Sequence, residues 1–128
     1  MVWRRILGAI LLALLGGGAG AQQFVMQPTI AAEPVPVSET YPNGDRFIGQ
    51  RLLGQREGRG VYYYANGDRY DGEYHSGRAT GVGTFYAANG ARYEGEFVDG
   101  HFEGQGTLTL PDGSQLVGRW QNDELIDR

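Results

Sequence analysis

A spacing of 23 residues runs through this chain. Gly44, Gly67, Gly90 and Gly113 stand in one column, and Gly49, Gly72, Gly95 and Gly118 in a second. Gly54, Gly77 and Gly100, then Gly58, Gly81 and Gly104, then Gly60, Gly83 and Gly106 make three more. Glycine inside a regular element costs about 0.5–1 kcal/mol relative to alanine, so five columns in one register require an offsetting role. A fixed short period is the mark of a repeat architecture. The full units are 47–69, 70–92 and 93–115, with partial units at both ends of residues 41–128.

Each unit reads as a β-hairpin. In YEGEF, Tyr93, Gly95 and Phe97 fall on one face, while Glu94 and Glu96 fall on the other. The second strand, around GQGTL, puts Gly104, Gly106 and Leu108 on one face. Asn43-Gly44, Asn66-Gly67, Asn89-Gly90 and Asp112-Gly113 supply tight turns. A longer loop within each unit contains Gly54, Gly77 or Gly100. The strand glycines leave room on the sheet for an aromatic ring of a neighbouring strand. The expected core aromatics are Tyr62, Tyr70, Tyr74, Phe85, Tyr93, Phe97 and Trp120.

The chain before the repeats differs in character. Arg4 and Arg5 precede an apolar run from Ile6 to Leu15, and Ala19-Gly20-Ala21 closes it. This pattern reads as a secretory signal, residues 1–21, cleaved after Ala21. The apolar run is shorter than the ~20 residues a spanning helix needs; an uncleaved inner-membrane anchor is the alternative. Residues 22–40 carry Pro28, Pro34 and Pro36 and read as an extended, flexible linker. The expected location is therefore periplasmic or secreted.

Charge and composition narrow the function. There is no cysteine, so disulfides and thiolate metal sites are excluded. The net charge is −4, and loss of Arg4 and Arg5 leaves −6. An acidic chain is a poor non-specific binder of nucleic acid or anionic lipid. Ser38, Ser76 and Ser114 lie in no nucleophile elbow. His75 and His101 alone make no metal set. The expectation is no catalytic residue, no cofactor and no metal. Asp71, Glu73, Glu94 and Glu96 share the face opposite the aromatics; a cation site there competes with simple pairing to Arg69, Arg78 and Arg92. Tyr63 and Tyr86 point to that other face, and Phe102 reads as a hairpin-loop residue. These three are the candidate contacts for a partner or a glycan, the alternative being packing against arginine stems.

YDGEY at 70–74 and YEGEF at 93–97, followed by GVGTF at 81–85 and GQGTL at 104–108, resemble the MORN repeat (membrane occupation and recognition nexus). The resemblance covers about residues 41 to 128. The first unit departs at Phe47, Gln50 and Arg51, and the last at Leu116 and Arg119, as capping repeats do. The resemblance implies an all-β fold, an elongated twisted antiparallel sheet of stacked hairpins. It implies a scaffold or interaction module rather than an enzyme; lipid binding has been proposed for the family. The leading expectation is an exported module that binds an unknown protein of the cell envelope through its sheet, or through a terminal strand near 116–120. A glycan-binding module, membrane-surface association and homodimerisation through end repeats are the alternatives; nucleic acid is not expected.

Overall fold

The computed structural model describes residues 6–7, 12–15, 22–25 and 29–128, which fall into two compact units, Met1–Glu33 and Pro34–Arg128. In the first unit, β1 (Ile6–Leu7), β2 (Leu12–Leu15), β3 (Gln22–Val25) and β4 (Thr29–Ile30) form two antiparallel pairs, β1 with β4 and β2 with β3. The remaining residues of the expected signal segment lie outside the described residues. Among the described residues no helix is long and apolar enough to cross a membrane.

The second unit is one open antiparallel sheet of ten strands. They are β5 (Val35–Thr40), β6 (Arg46–Leu52), β7 (Gln55–Arg56), β8 (Gly58–Tyr63), β9 (Arg69–His75), β10 (Arg78–Tyr86), β11 (Arg92–Val98), β12 (His101–Thr109), β13 (Gln115–Gln121) and β14 (Glu124–Asp127). Each pairs with its neighbour in sequence, except that β6 pairs with both β7 and β8. Two findings revise the sequence reading of the ends. Residues 35–40, expected in the linker, form the edge strand β5 on β6. Proline is compatible with an edge position, where its missing N–H costs no ladder bond, and Val37 packs against the core. At the other end, β14 pairs with residues 119–121, so the expected edge strand LVGRW is covered only over its C-terminal part.

Two kinds of turn alternate. At Asn-Gly and Asp-Gly, only the glycine is left-handed: φ is +95°, +100°, +98° and +90° at Gly44, Gly67, Gly90 and Gly113. The preceding Asn43, Asn66, Asn89 or Asp112 instead accepts the N–H two residues on, at 2.9–3.0 Å. The other turns, expected as longer loops, have just two residues, both left-handed: Leu53-Gly54, Ser76-Gly77, Asp99-Gly100 and Asn122-Asp123. Such turns match the twist of the flanking strands.

The units are stapled at both sheet margins. Asp45 accepts the Ala65 N–H at 2.7 Å, and Asp68 accepts that of Ala88 at 2.8 Å. On the opposite margin Glu57, Thr80 and Glu103 accept the N–H groups of Ser76, Asp99 and Asn122 at 3.0, 3.0 and 2.7 Å. Each bond joins one unit to the next, so the repeat is a repeat of contacts as well as of residues.

One face carries the core. Phe47, Tyr70, Tyr74, Tyr93, Phe97 and Trp120 are buried, with Tyr62 and Phe85 half-buried against them. A row of paired glycines crosses the sheet: Gly60, Gly72, Gly83, Gly95, Gly106 and Gly118. The Tyr70 ring lies back along its own strand, and its hydroxyl donates to the Glu73 carbonyl at 2.8 Å. Tyr93 does the same to Glu96 at 2.9 Å. The ring thus covers the glycine of its own strand as well as that of its neighbour. Phe47 holds the same column and the same burial, which the sequence reading had treated as a departure.

Candidate functional site: an aromatic groove

A single-layer sheet leaves its aromatic face open to solvent wherever side chains are small. The columns at 23-residue spacing show where. Arg56, Ala79 and Phe102 occupy equivalent positions in three successive units. Arg56 and Phe102 are large and fill their places; Ala79 does not. Beside it are two adjoining clefts that share Tyr64, Ala79 and Gly100. One, of about 230 Å³, is walled by Tyr64, Tyr70, Phe85, Phe97, Phe102 and Asp123. The other, of about 290 Å³, runs towards Arg56, Tyr62 and Tyr74, with Arg78 and Asp99 at its side. Together they make a groove from Arg56 to Phe102.

The groove is predominantly aromatic. Tyr64, 41 % exposed, stands 4.6 Å from Tyr62 and 6.5 Å from Phe85, ring centre to ring centre. Phe85 continues to Phe102 at 6.4 Å. Phe102 was expected in a loop; it lies in β12 opposite Phe97, because the turn before it takes only two residues. Its ring stacks on Tyr93 at 3.8 Å and meets Trp120 edge-on at 5.8 Å. It therefore packs on the core and walls the groove.

Several charged groups at the rim form ion pairs. Arg78 meets Asp99 at 3.3 Å. His101 meets Asp123 at 2.8 Å, and that carboxylate raises the imidazole's pKa. At the far end Arg51 binds Glu39 at 2.7 Å; hydrogen bonds from Arg51 and Tyr41 hold the Glu39 carboxyl down at about 2. Burial and the neighbouring Asp45 push the Tyr62 hydroxyl up to about 12, and burial raises Tyr70 and Tyr93 likewise to about 12. These phenols are neutral hydrogen-bonding groups at ordinary pH.

The opposite face has a different character. Tyr63 and Tyr86 are half-buried, with the Arg46 guanidinium 4.6 Å from the Tyr63 ring centre and Arg69 4.0 Å from that of Tyr86. A cleft of about 350 Å³ beside them is lined by Tyr63, Tyr64, Gly67, Asp68, Arg69 and Tyr86. The acidic residues of this face have separate partners: Asp71 pairs with Arg59 at 3.2 Å and Glu94 with Arg92 at 3.0 Å. Glu73 accepts the Val82 N–H at 3.0 Å beside the bulge at Gly81. His75 sits on Glu57 at 2.9 Å. Among the described residues no group of three or more His, Asp or Glu is arranged to hold a metal ion.

No curated protein matches the chain. The family model for the MORN repeat matches residues 48–69, 70–92 and 93–115. These are the three units whose glycine columns and two-residue turns are described above, with a ring over the glycines that is Phe47 at the first and Tyr70 and Tyr93 at the next two. MORN repeats are generally protein- or membrane-interaction modules and are not themselves enzymes. The chain belongs to the MORN repeat family.

Proposed function

We propose that this chain is an exported, non-enzymatic interaction module that receives a protein partner on the aromatic face of its sheet. The observation that carries the reading is the groove between Arg56 and Phe102. It exposes Tyr64 and Phe85 on a rigid scaffold, and aromatic side chains dominate the energetics of protein contacts. The C-terminal edge is taken at residues 119–121 by β14, which is four residues long and carries Glu124 and Asp127; short, charged edges disfavour strand addition. The sheet face is therefore the surface we favour over the terminal strand. Export rests on the Arg4-Arg5 start and the apolar run behind it, and an N-terminus at Gln22 in the mature protein would establish it.

The test is affinity capture of the tagged full-length chain from its native cell envelope. A Tyr64→Glu variant should lose the captured protein, whereas Val82→Glu, at an exposed position on the other face, should keep it. Equal capture by both variants would refute the assignment to the groove. The second reading, a glycan module through Tyr63 and Tyr86, has the 350 Å³ cleft in its favour. Each of those rings already has one arginine over it. Retention of envelope polysaccharide by the wild type, lost in the Tyr63→Ala/Tyr86→Ala double variant, would put it first.

A further inference from the structure

The groove's central cleft has a counterpart within the same chain. One unit earlier, the Arg56 guanidinium carbon lies 5.0 Å from the ring centres of Phe47 and Tyr62, 5.8 Å from Tyr74 and 6.0 Å from Tyr41. Four rings thus surround one cation. Moving 23 residues along turns Tyr41, Phe47, Tyr62 and Tyr74 into Tyr64, Tyr70, Phe85 and Phe97. Those four, joined by Phe102, are the rings that wall the 230 Å³ cleft. One ring pair keeps its geometry between the two, and the other keeps its spacing but not its tilt, 19° at Tyr41–Tyr62 against 66° at Tyr64–Phe85. Phe47 and Tyr74 meet at 5.3 Å and 80°, and Tyr70 and Phe97 at 4.9 Å and 81°. Tyr41 and Tyr62 are 6.1 Å apart, and Tyr64 and Phe85 6.5 Å. What changes is the occupant: Ala79 replaces Arg56, and the cage stands open.

We propose that this second cage binds an arginine side chain of the partner protein, in the manner in which the first holds Arg56. The proposal deepens the interaction-module reading and rests on it. Aromatic faces attract cations through the ring quadrupole, and a planar guanidinium also stacks on them. Charge favours the same ligand. Asp123 contributes a carboxylate to the wall, shared there with His101 and the Phe102 N–H, while of the arginines lining the adjoining cleft Arg78 is paired with Asp99 and Arg56 is held among its own rings. The third unit shows the alternative use of the same position, with Phe102 stacked on Tyr93 and edge-on to Trp120.

The experiment is an NMR titration of the purified chain with acetyl-argininamide, following the ring signals of Tyr64, Phe85 and Phe97. Acetyl-citrullinamide, planar but neutral, and acetyl-lysinamide are run beside it. The expected result is saturable shifts at those rings, with arginine bound about two- to fivefold more tightly than citrulline, the size of an exposed cation–π contact. Ala79→Arg should abolish the binding and raise the melting temperature by supplying the ligand from within. Ala79→Phe, which copies Phe102, gives the same block should the first variant fold poorly. Binding of citrulline as tight as that of arginine would overturn the proposal. So would binding unchanged in both variants. If argininamide binds but no protein is captured through Tyr64, the site stands and the module reading fails. If a protein is captured through Tyr64 and argininamide does not compete with it, the reverse holds.

Discussion

Tyr70 occupies the space that a side chain at position 83 would need. A Cβ built at Gly83 would lie 2.7 Å from the Tyr70 hydroxyl and 2.8 Å from its ring. Overpacking of this kind costs about 1–3 kcal/mol. Gly83→Ala should therefore lower the denaturant midpoint clearly. Tyr70→Leu, which is costly alone, should make the second change nearly free, so the double variant costs less than the sum. Strict additivity would show that the ring does not cover the glycine.

Phe97 is 2 % exposed and meets Tyr70 and Tyr93 edge-on at 4.9 and 5.1 Å. Truncating a buried phenylalanine costs about 3–5 kcal/mol. Phe97→Ala should lower the melting temperature by many degrees in a calorimetric scan. An unchanged melting curve would remove Phe97 from the core.

The two inter-unit staples at Asp45 and Asp68 have no third member. Position 91 is alanine, and the residue that would donate, at 111, is proline, which has no N–H. Acceptor and donor are missing together. Ala91→Asp alone should therefore add no stability. Combined with Pro111→Ala, it should show a favourable coupling of about 1 kcal/mol in a double-mutant cycle. Asp68→Ala should cost about 1 kcal/mol by itself.

Leu53 sits in a two-residue turn with φ +52° and is 84 % exposed. Left-handed backbone costs an ordinary residue about 1–2 kcal/mol, and asparagine less. Leu53→Asn should raise the denaturant midpoint without changing its slope. No gain would mean that the turn leaves this conformation in solution.

Stability should fall on both sides of mildly acidic pH. Glu39, Asp45, Glu57 and Asp112 all have lowered pKa values, Glu39 down to about 2, each through hydrogen bonds to its carboxylate. Their contribution is full above the unfolded carboxyl range and is lost as pH falls through the folded values. His101 is raised by Asp123, so its contribution is full below the ordinary imidazole pKa and is lost as pH rises past the folded one. Glu39→Gln should cost roughly 1–2 kcal/mol at pH 7. Urea melts across pH should show that gap narrowing below pH 4 and closing near pH 2.

Much of this architecture is legible in the residues, for a physical reason. Hairpins, repeat boundaries and the ring-over-glycine face follow from period-two alternation and a 23-residue spacing, both of which are local. Phe102 shows where local reading stops. Alternation back from Gly106 is broken at Gly104, where φ is +70° and an added Cβ would point at the Glu96 side chain, away from the expected face, so spacing alone does not place Phe102. Asp99-Gly100 carries the sequence signal for the two-residue turn that brings Phe102 into β12. Strand β5 was hidden because Pro34 and Pro36 disfavour a strand in general, whereas an edge tolerates them. The groove was less accessible still. No stretch of sequence around Ala79 signals a cleft; it emerges when one column is compared across units and two of its three residues are large.

Tyr63 and Tyr64 are adjacent in the chain. Arg46 lies over the Tyr63 ring, whereas Tyr64 lines both clefts of the groove as well as bordering the 350 Å³ cleft beside Tyr63. That contrast gives the most direct test of the central claim. A photo-crosslinking phenylalanine analogue is placed at 63 or at 64 in the full-length chain in its native cells, and adducts are read by mass spectrometry. The account expects one stoichiometric protein adduct from position 64 and none from position 63. An adduct from 63 alone, or from neither, would contradict an aromatic face built to receive a protein.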